Sequence, residues 1–243
     1  MLQERSEKTD ISIVVPVYNE KNNLEILTSE IREAMKEIGK RYEIIYVDDG
    51  STDSSSDTIK KLAQEIEEVR GIHFVKNCGQ TAAFDAGFKG ARGEIIVTMD
   101  ADLQNDPKDI PALLEQMKDH DAAVGWRHER RDNFIRRASS KIANSIRNKL
   151  SGDSILDTGC SLKVFKSKCI KSVKLYKGMH RFFPTLLRME GYSVVEVKVK
   201  HRPRMYGEAK YGIRNRILRG LTDLLAVRWM KKRKLDYEIK EYE

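Results

Sequence analysis

The sequence is short of several things, and each shortage removes a class of protein. No apolar run in its 243 residues approaches the roughly 18–20 residues that a bilayer-spanning helix needs. The first ten residues, Met1 to Asp10, are polar and hold no hydrophobic stretch of a leader, so no secretory signal is expected. Cysteine is limited to Cys78, Cys160 and Cys169. That odd number, at spacings that suit neither a zinc site nor a disulfide framework, points to a reducing cytosol. His73, His120, His128 and His180 show no metal-ligand spacing either. Internal repeats and low-complexity linkers are missing too.

What is present is ordinary for a soluble globular chain: 40% hydrophobic and 34% charged residues. The length suits one sizeable domain, and residues 1–243 are read as one. The charge is unevenly placed. Between His201 and Lys234 eleven Lys and Arg face only Glu208 and Asp223, a net +9, although the whole chain carries +8. Such a basic segment implies an anionic partner, unless it is only a solvated helix face.

The apolar pattern alternates between strand and helix. Ile11–Val15 reads as a strand that Pro16 stops, and Asn19 as a cap for a helix that Gly39 ends. Tyr42–Val47 is a second strand, followed by a turn at Asp48–Asp53 and a helix running to Val69. Ile72–Val75, Ile95–Val97 and Ala122–Gly125 are further strands. Helices are predicted over Gly79–Ala91, from Pro107 or Pro111, over Ala138–Leu150 and over Ile213–Met230. Tyr192–Lys200 alternates with period two, which suits a half-buried edge or antiparallel strand. Strand–helix alternation with short turns predicts an α/β fold with a mostly parallel, doubly wound sheet flanked by helices.

Ligands of such sheets bind beyond the carboxyl ends of the strands. Three polar clusters fall there: Pro16–Glu20, Asp48–Ser51 and Asp100–Gln104. Any one of them reads equally well as turn and cap residues, but three at successive strand ends point to a site. The last follows a buried-type strand, and spacing two puts Asp100 and Asp102 on one face of an extended segment, with Gln104 beside them if the extension continues. Hard oxygen ligands at that place suit Mg²⁺ or Mn²⁺ carrying a phosphate.

Five motifs then occur in order: PVYNE at Pro16–Glu20, VDDGS at Val47–Ser51, MDADLQNDP at Met99–Pro107, DTGC at Asp157–Cys160 and RPRMYGEAKYG at Arg202–Gly212. Together they resemble an inverting family 2 glycosyltransferase, of the subgroup of dolichol-phosphate mannose synthase and the bacterial polyprenyl-phosphate glycosyltransferases. The resemblance spans about residues 10–235. It implies a GT-A-type, Rossmann-like fold and a nucleotide-sugar donor, GDP-mannose or a UDP-sugar. It also implies a polyprenyl phosphate acceptor and a place on the inner face of the membrane. Residues 10–125 become the nucleotide-sugar half, 126–212 the acceptor half, and 213–235 an amphipathic basic helix.

By the same resemblance Pro16, Tyr18, Glu20, Asp48, Asp49, Asp100, Ala101, Asp102 and Lys210 bind the nucleotide sugar. Asp100, Asp102 and Gln104 hold the metal. Arg127, Arg137, Ser140, Lys141 and Arg204 meet the acceptor phosphate, with Arg136 an alternative to Arg137. Gly207, Lys210 and Tyr211 match the family's late loop, where Ala209 replaces the usual serine. Asp102, Asp157 and Arg127 are the candidates for catalysis. A phosphate acceptor is already anionic and needs little deprotonation, so Asp157 is a base, an acceptor-orienting group or a turn residue before Gly159.

Two points stay open at this stage. The terminal helix carries Ile213, Ile217, Leu221, Leu224 and Leu225 on one face, interrupted by Arg214 and Arg228, with Trp229 and Lys231–Lys234 following. It either lies on an anionic membrane surface or packs on its own domain. The acceptor is either a polyprenyl phosphate or a saccharide hydroxyl. A nucleic-acid-binding module and a catalytically inactive nucleotide-binding regulator are the competing classes. Against the first, the positive charge surrounds a metal–phosphate site and no nucleic-acid motif occurs, so no nucleic acid partner is expected. Against the second, Asp100 and Asp102 are intact.

Overall fold

The computed structural model describes residues 9–128, 155–205, 213–235, 237, 240 and 241. Seven strands form one sheet: β1 (Ile11–Val17), β2 (Tyr42–Asp48), β3 (Val69–His73), β4 (Ile95–Thr98), β5 (Ala122–Arg127), β6 (Lys163–Lys166) and β7 (Val194–Val199). Their order is β3-β2-β1-β4-β6-β5-β7. All neighbours are parallel except at β6, which runs antiparallel to both β4 and β5. The helices are α1 (Lys21–Ile38), α2 (Ser55–Glu65), α3 (Gln80–Gly90), α4 (Ile110–Glu115), α5 (Ser167–Ser172), α6 (Phe183–Met189) and α7 (Ile213–Arg233).

Period-two alternation sends each strand's side chains to two separate cores. Ile11, Ile13, Val15 and Val17 of β1 pack with Ile44 and Tyr46 of β2 against Leu24, Leu27 and Ile31 of α1. Val14, Ile45 and Val47 turn to the other face, where Phe84, Phe88, Phe165 and Phe183 pack together. Ring centroids there lie 5.5–5.9 Å apart for Phe183 with Phe84, Phe88 and Phe165. Each such fully buried Ile, Leu or Phe stabilises the fold by about 1.5–3 kcal/mol. Tyr46 is wholly buried, and its hydroxyl meets Thr28 Oγ1 at 2.8 Å.

Several boundaries differ from the sequence pattern, each for a physical reason. Pro16 does not end β1, which runs on to Val17. Val14 O accepts from Met99 N, so alternate residues of β1 bond toward β4, and that ladder stops at Val14–Thr98. Pro16 would bond on that side, beyond the end of the ladder, so its missing N–H forfeits nothing there. The second helix stops at Glu65 rather than Val69, because Val69 pairs with Ile44 and begins β3. That strand therefore ends at His73, not Val75. Asn19 is not the α1 cap. At φ +55 it turns back, and its Oδ1 accepts from Thr52 N at 2.7 Å, bracing the turn after β2. β7 is an edge strand as the alternation implied, but it is parallel to β5. β6 had no sequence signal. It is four residues long and begins and ends in lysine, and only its two neighbours make it a strand. The segment predicted as a helix at Ala138–Leu150 lies outside the described residues.

The fold brings the strand ends together. β1 leads to β2 on one side and β4 lies on the other, so the sheet's switch point falls between β1 and β4. The segment after β1 and the segment after β4 border the crevice where doubly wound sheets bind ligands.

Candidate active site

Four loops meet above that switch point. After β1 come Tyr18 and Glu20; after β2, Asp48 and Asp49; after β4, Asp100 and Asp102; after β7, Arg202 and Arg204.

Glu20 is buried. Its Oε2 accepts from Asn23 Nδ2 at 2.6 Å and its Oε1 from Arg204 Nη2 at 2.7 Å. Arg204 also stands 3.9 Å from Asp102 Oδ2. Arg202 anchors the segment that delivers Arg204. Its guanidinium holds both oxygens of Glu30 at 2.8 and 2.7 Å and donates to Asn105 O.

Asp100 and Asp102 differ in surroundings. Asp100 Oδ1 accepts from Gln80 Nε2 at 2.7 Å, from the first residue of α3. Its own N–H donates to Asn105 Oδ1 at 3.3 Å, which also accepts from Ser161 Oγ at 2.7 Å. Asp102 is largely buried, and burial together with the charge of Asp100 pushes its carboxyl up to about 6, against the pull of Gln104 N–H and Arg204. Two hard oxygen donors whose shared negative charge is not fully balanced are the donor set that a divalent cation relieves. Among the described residues no three His, Cys, Asp or Glu side chains could enclose an ion by themselves. The residues therefore fit a metal that takes its remaining ligands from elsewhere. The extension that would place Gln104 beside them breaks at Leu103, which sits at φ +61. Gln104 instead uses its backbone, donating to Asp102 Oδ1 and accepting from Arg202 N.

The two aspartates after β2 have separate contacts. Asp49 is buried and spent on the turn before α3: Cys78 N, Gly79 N and Asn77 Nδ2 all donate to its carboxylate, at 2.6–3.1 Å. Burial raises its carboxyl above the ordinary value against those bonds. Asp48 accepts from Ser51 N at 2.9 Å and faces His73 Nδ1 at 3.4 Å. It lines a cleft of about 450 Å³ with Tyr18, Ser51, His73, Lys76 and Asn77. Gly50 lets the two turns touch. It adopts φ +67, and a Cβ there would lie 2.4 Å from Lys76 C.

Arg127 and Asp157 form one unit. Arg127 Nε and Nη2 meet the two carboxylate oxygens at 2.7 and 2.9 Å, with the side chains 13% and 10% exposed. Arg127 N and Gly159 N donate to the same carboxylate. Burial alone would lower the Arg127 guanidinium, but Asp157 outweighs it and the net shift is upward. Four donors thus commit the Asp157 carboxylate to Arg127 and to its own turn.

Ala101 is buried between the aspartates, and Pro16 lies within β1. Arg137, Ser140, Lys141, Lys210, Arg136, Gly207, Ala209 and Tyr211 lie outside the described residues. The sequence reading missed Gln80, Asn105, Arg202 and Lys163. Asn105 and Arg202 stand inside quoted motifs, so their motifs were a signal. Gln80 and Lys163 carried none: Gln80 meets Asp100 from 20 residues away, and Lys163 opens a four-residue strand that no periodicity marks.

Residues 12–173 match the sequence family described as Glycosyl transferase family 2. The chain is similar to a dodecaprenyl-phosphate galacturonate synthase of Rhizobium johnstonii, 41% identical over 90% of this chain and 66% of that protein. It is 37% identical to an undecaprenyl-phosphate 4-deoxy-4-formamido-L-arabinose transferase of Edwardsiella ictaluri, over 84% of this chain and 63% of that one. The chain thus spans somewhat under two thirds of the length of these curated relatives. Among solved structures it resembles a glucosyl-3-phosphoglycerate synthase of Mycobacterium tuberculosis with Mn²⁺, UDP-glucose and phosphoglyceric acid. That match has a TM-score of 0.67 at 16% identity, over 90% of this chain and 79% of the other. A mannosyltransferase of Pyrobaculum calidifontis with GDP-mannose and Mn²⁺ superposes with a TM-score of 0.63 at 19% identity, over 93% and 65%. At such identities the likeness is one of fold, a GT-A-type sheet.

Proposed function

Because the chain belongs to glycosyltransferase family 2, we propose that it moves a sugar from a nucleoside diphosphate to a polyprenyl phosphate. The observation that carries this is the similarity, over 84–90% of the chain, to two transferases named for polyprenyl-phosphate acceptors. The site is consistent with it. The cleft beside Tyr18 and Asp48 is concave and polar enough for a nucleoside. Asp100 and Asp102 would hold a divalent cation, Mg²⁺ or Mn²⁺, which when bound neutralises charge gathering on the leaving diphosphate. Gln80 fixes one oxygen of Asp100, and Glu20 holds Arg204 at the edge of the pair. From there Arg204 is within reach of a diphosphate or an incoming phosphate.

Transfer to a saccharide hydroxyl is the less favoured reading, since it needs a carboxylate base and Asp157, its first candidate, is committed to Arg127. A phosphate monoester needs no such base.

Helix α7 supports a place at a membrane surface. No described helix is long and apolar enough to cross a membrane. The sequence left α7 either on a membrane surface or packed on its own domain, and part of it packs. Leu224 and Val227 are buried on Met179, Phe182 and Leu186, whereas Leu225 and Trp229 stay 59% and 64% exposed. Leu225 therefore does not share the packed face with Leu224. Leu235, Tyr237 and the run Lys231–Lys234 are exposed as well, and that positive charge complements anionic headgroups.

The test is to incubate the protein with Mn²⁺ or Mg²⁺, a panel of UDP- and GDP-sugars and short polyprenyl phosphates, and to follow nucleoside diphosphate release. Release that requires the polyprenyl phosphate supports the reading. Release only with saccharide acceptors overturns it.

A further inference from the structure

From Thr158 to Met189 the chain carries six lysines and two arginines and not one Asp or Glu. Part of that charge is committed to the fold. Lys166 pairs with Asp121 at 3.0 Å, and Lys171 donates to Ala91 O at 2.7 Å. Lys174 and Lys177 differ. Both are exposed, in the segment between α5 and Gly178, and neither meets a carboxylate among the described residues. Val173 and Leu175 turn inward there and pack on the cluster of Met179, Phe182 and Leu186, which leaves Lys174 and Tyr176 turned outward. Tyr176 is half exposed, and the Lys174 ammonium stands 5.7 Å from its ring centroid.

The segment is held on two sides. Leu224 and Val227 of α7 belong to the same cluster as Val173 and Leu175. Gly178, at φ +85, lies so close to α7 that a Cβ there would collide with the Asp223 carboxylate. Gly178 N also donates to Thr81 Oγ1 at 3.1 Å. Thr81 follows Gln80, the residue whose amide holds Asp100. The segment therefore joins α7 to the start of α3, beside the strand ends where the site lies.

We propose that Lys174, Tyr176 and Lys177 form a second lipid-binding element beside α7, and that its partner is an anionic membrane surface. A half-exposed tyrosine among ammonium groups without countercharges suits the headgroup layer. The ring body enters the apolar boundary, the hydroxyl stays wet, and the lysines meet lipid phosphates. Nucleic acid would also attract the lysines, but exposed Leu225 and Trp229 on the neighbouring α7 favour lipid. Contact through two elements fixes how the domain sits on a membrane, which one helix alone does not. This rests on the polyprenyl-phosphate reading above and deepens it: the acceptor's phosphate enters the site from a surface where its chain stays in lipid.

The test compares wild type with the triple variant Lys174→Gln, Tyr176→Ser, Lys177→Gln, with folding checked by circular dichroism. Co-sedimentation uses vesicles of phosphatidylcholine with and without phosphatidylglycerol. Binding to the anionic vesicles is expected to fall by about five-fold or more in the triple variant. Its turnover should fall as much with a long polyprenyl phosphate embedded in those vesicles, and stay unchanged with a short, soluble one. Should the triple variant not fold, Tyr176→Trp decides. Added to Trp229→Phe, it is expected to give fluorescence that lipids brominated on their acyl chains quench more than they quench the Trp229→Phe parent. Unchanged vesicle binding in the triple variant, or no added quenching, overturns the proposal and leaves the functional reading standing. A wild type that binds no anionic vesicles overturns it as well. Tighter binding to a DNA oligonucleotide than to vesicles, lost in the same variant, overturns it in favour of nucleic acid. Should the wild type transfer sugar to no phosphate acceptor, the functional reading fails, while the vesicle comparison still decides the role of this segment.

Discussion

Arg204 reaches Glu20 across 184 residues of chain, with Nη2 donating to Oε1 at 2.7 Å, and it stands 3.9 Å from Asp102. The loop after β7 is thereby tied to the loops after β1 and β4. The guanidinium is a quarter exposed, so the pair adds little stability, on the order of 1 kcal/mol. Arg204→Ala is expected to leave the melting temperature within a few degrees of wild type and to lower kcat by about 100–1,000-fold, as for other charge-stabilising donors. Arg204→Lys recovers only part, because an ammonium lacks the planar fork of donors that a guanidinium offers. Steady-state kinetics with calorimetry checks this.

Asp102 makes the metal-free protein sensitive to pH. Its carboxyl is raised to about 6 by burial and by Asp100. The folded chain therefore binds more protons than the unfolded chain between pH about 4 and about 6. The stabilising contribution is full below pH about 4 and is lost as pH rises through 6. Asp102→Asn should remove this dependence and stabilise the metal-free protein at pH 7.5 by about 2 kcal/mol, while abolishing turnover. A bound divalent cation holds the carboxylate ionised, so stabilisation by Mn²⁺ should shrink as pH falls from 7.5 to 5.5. Urea midpoints at three pH values, with and without Mn²⁺, measure both effects.

The Arg127–Asp157 pair predicts a strongly non-additive pair of mutations. Asp157→Ala leaves a buried guanidinium unpaired and should cost about 3–5 kcal/mol. Asp157→Leu combined with Arg127→Met should recover most of that stability without recovering acceptor use. A double-mutant cycle in urea unfolding gives the coupling. The pH–rate profile is also decisive: a base role for Asp157 would add an acidic limb that disappears in Asp157→Asn, and none is expected.

Gly50 and Gly39 share φ +67 but not surroundings. At Gly39 a Cβ meets nothing within 4 Å, and at Gly50 it would lie 2.4 Å from backbone at Lys76. Gly39→Ala should therefore cost only about 1 kcal/mol of conformational strain. Gly50→Ala should cost upwards of 1–3 kcal/mol and weaken nucleoside diphosphate binding, because it pushes apart the turns that border the cleft. Thermal melts and titration calorimetry with UDP and GDP separate the two.

The outer surface of α7 should bind anionic vesicles. Replacing Lys231, Lys232, Arg233 and Lys234 with Gln removes four charges, each worth roughly 1 kcal/mol near such a surface. Co-sedimentation should fall at least ten-fold, and 0.5 M salt should do the same to wild type through screening. Binding that persists in the quadruple variant would show that the exposed Trp229 and Leu225 act without charge, or that the surface does not face lipid.

Much of this was legible in the chain itself. The alternation of β-branched runs with helical periodicity determined the sheet and its helices, because both patterns are local. The order of PVYNE, VDDGS and MDADLQNDP at strand ends determined where the site lies, since ligands of such sheets bind at one edge. Tertiary structure decided what each residue touches there. Asp48 and Asp49 are adjacent in sequence, yet one lines the cleft and the other is spent on the turn before α3. Asp157 read as a base, an acceptor-orienting group or a turn residue, and only the fold shows Arg127 meeting it from 30 residues away. β6 and its buried Lys163 left no trace in periodicity, because a four-residue strand exists only where β4 and β5 supply its bonds. The local pattern carries the fold because backbone geometry repeats every few residues. The roles of charged groups depend on which opposite charges the fold brings within a few ångströms, and that distance is set only once the sheet has closed.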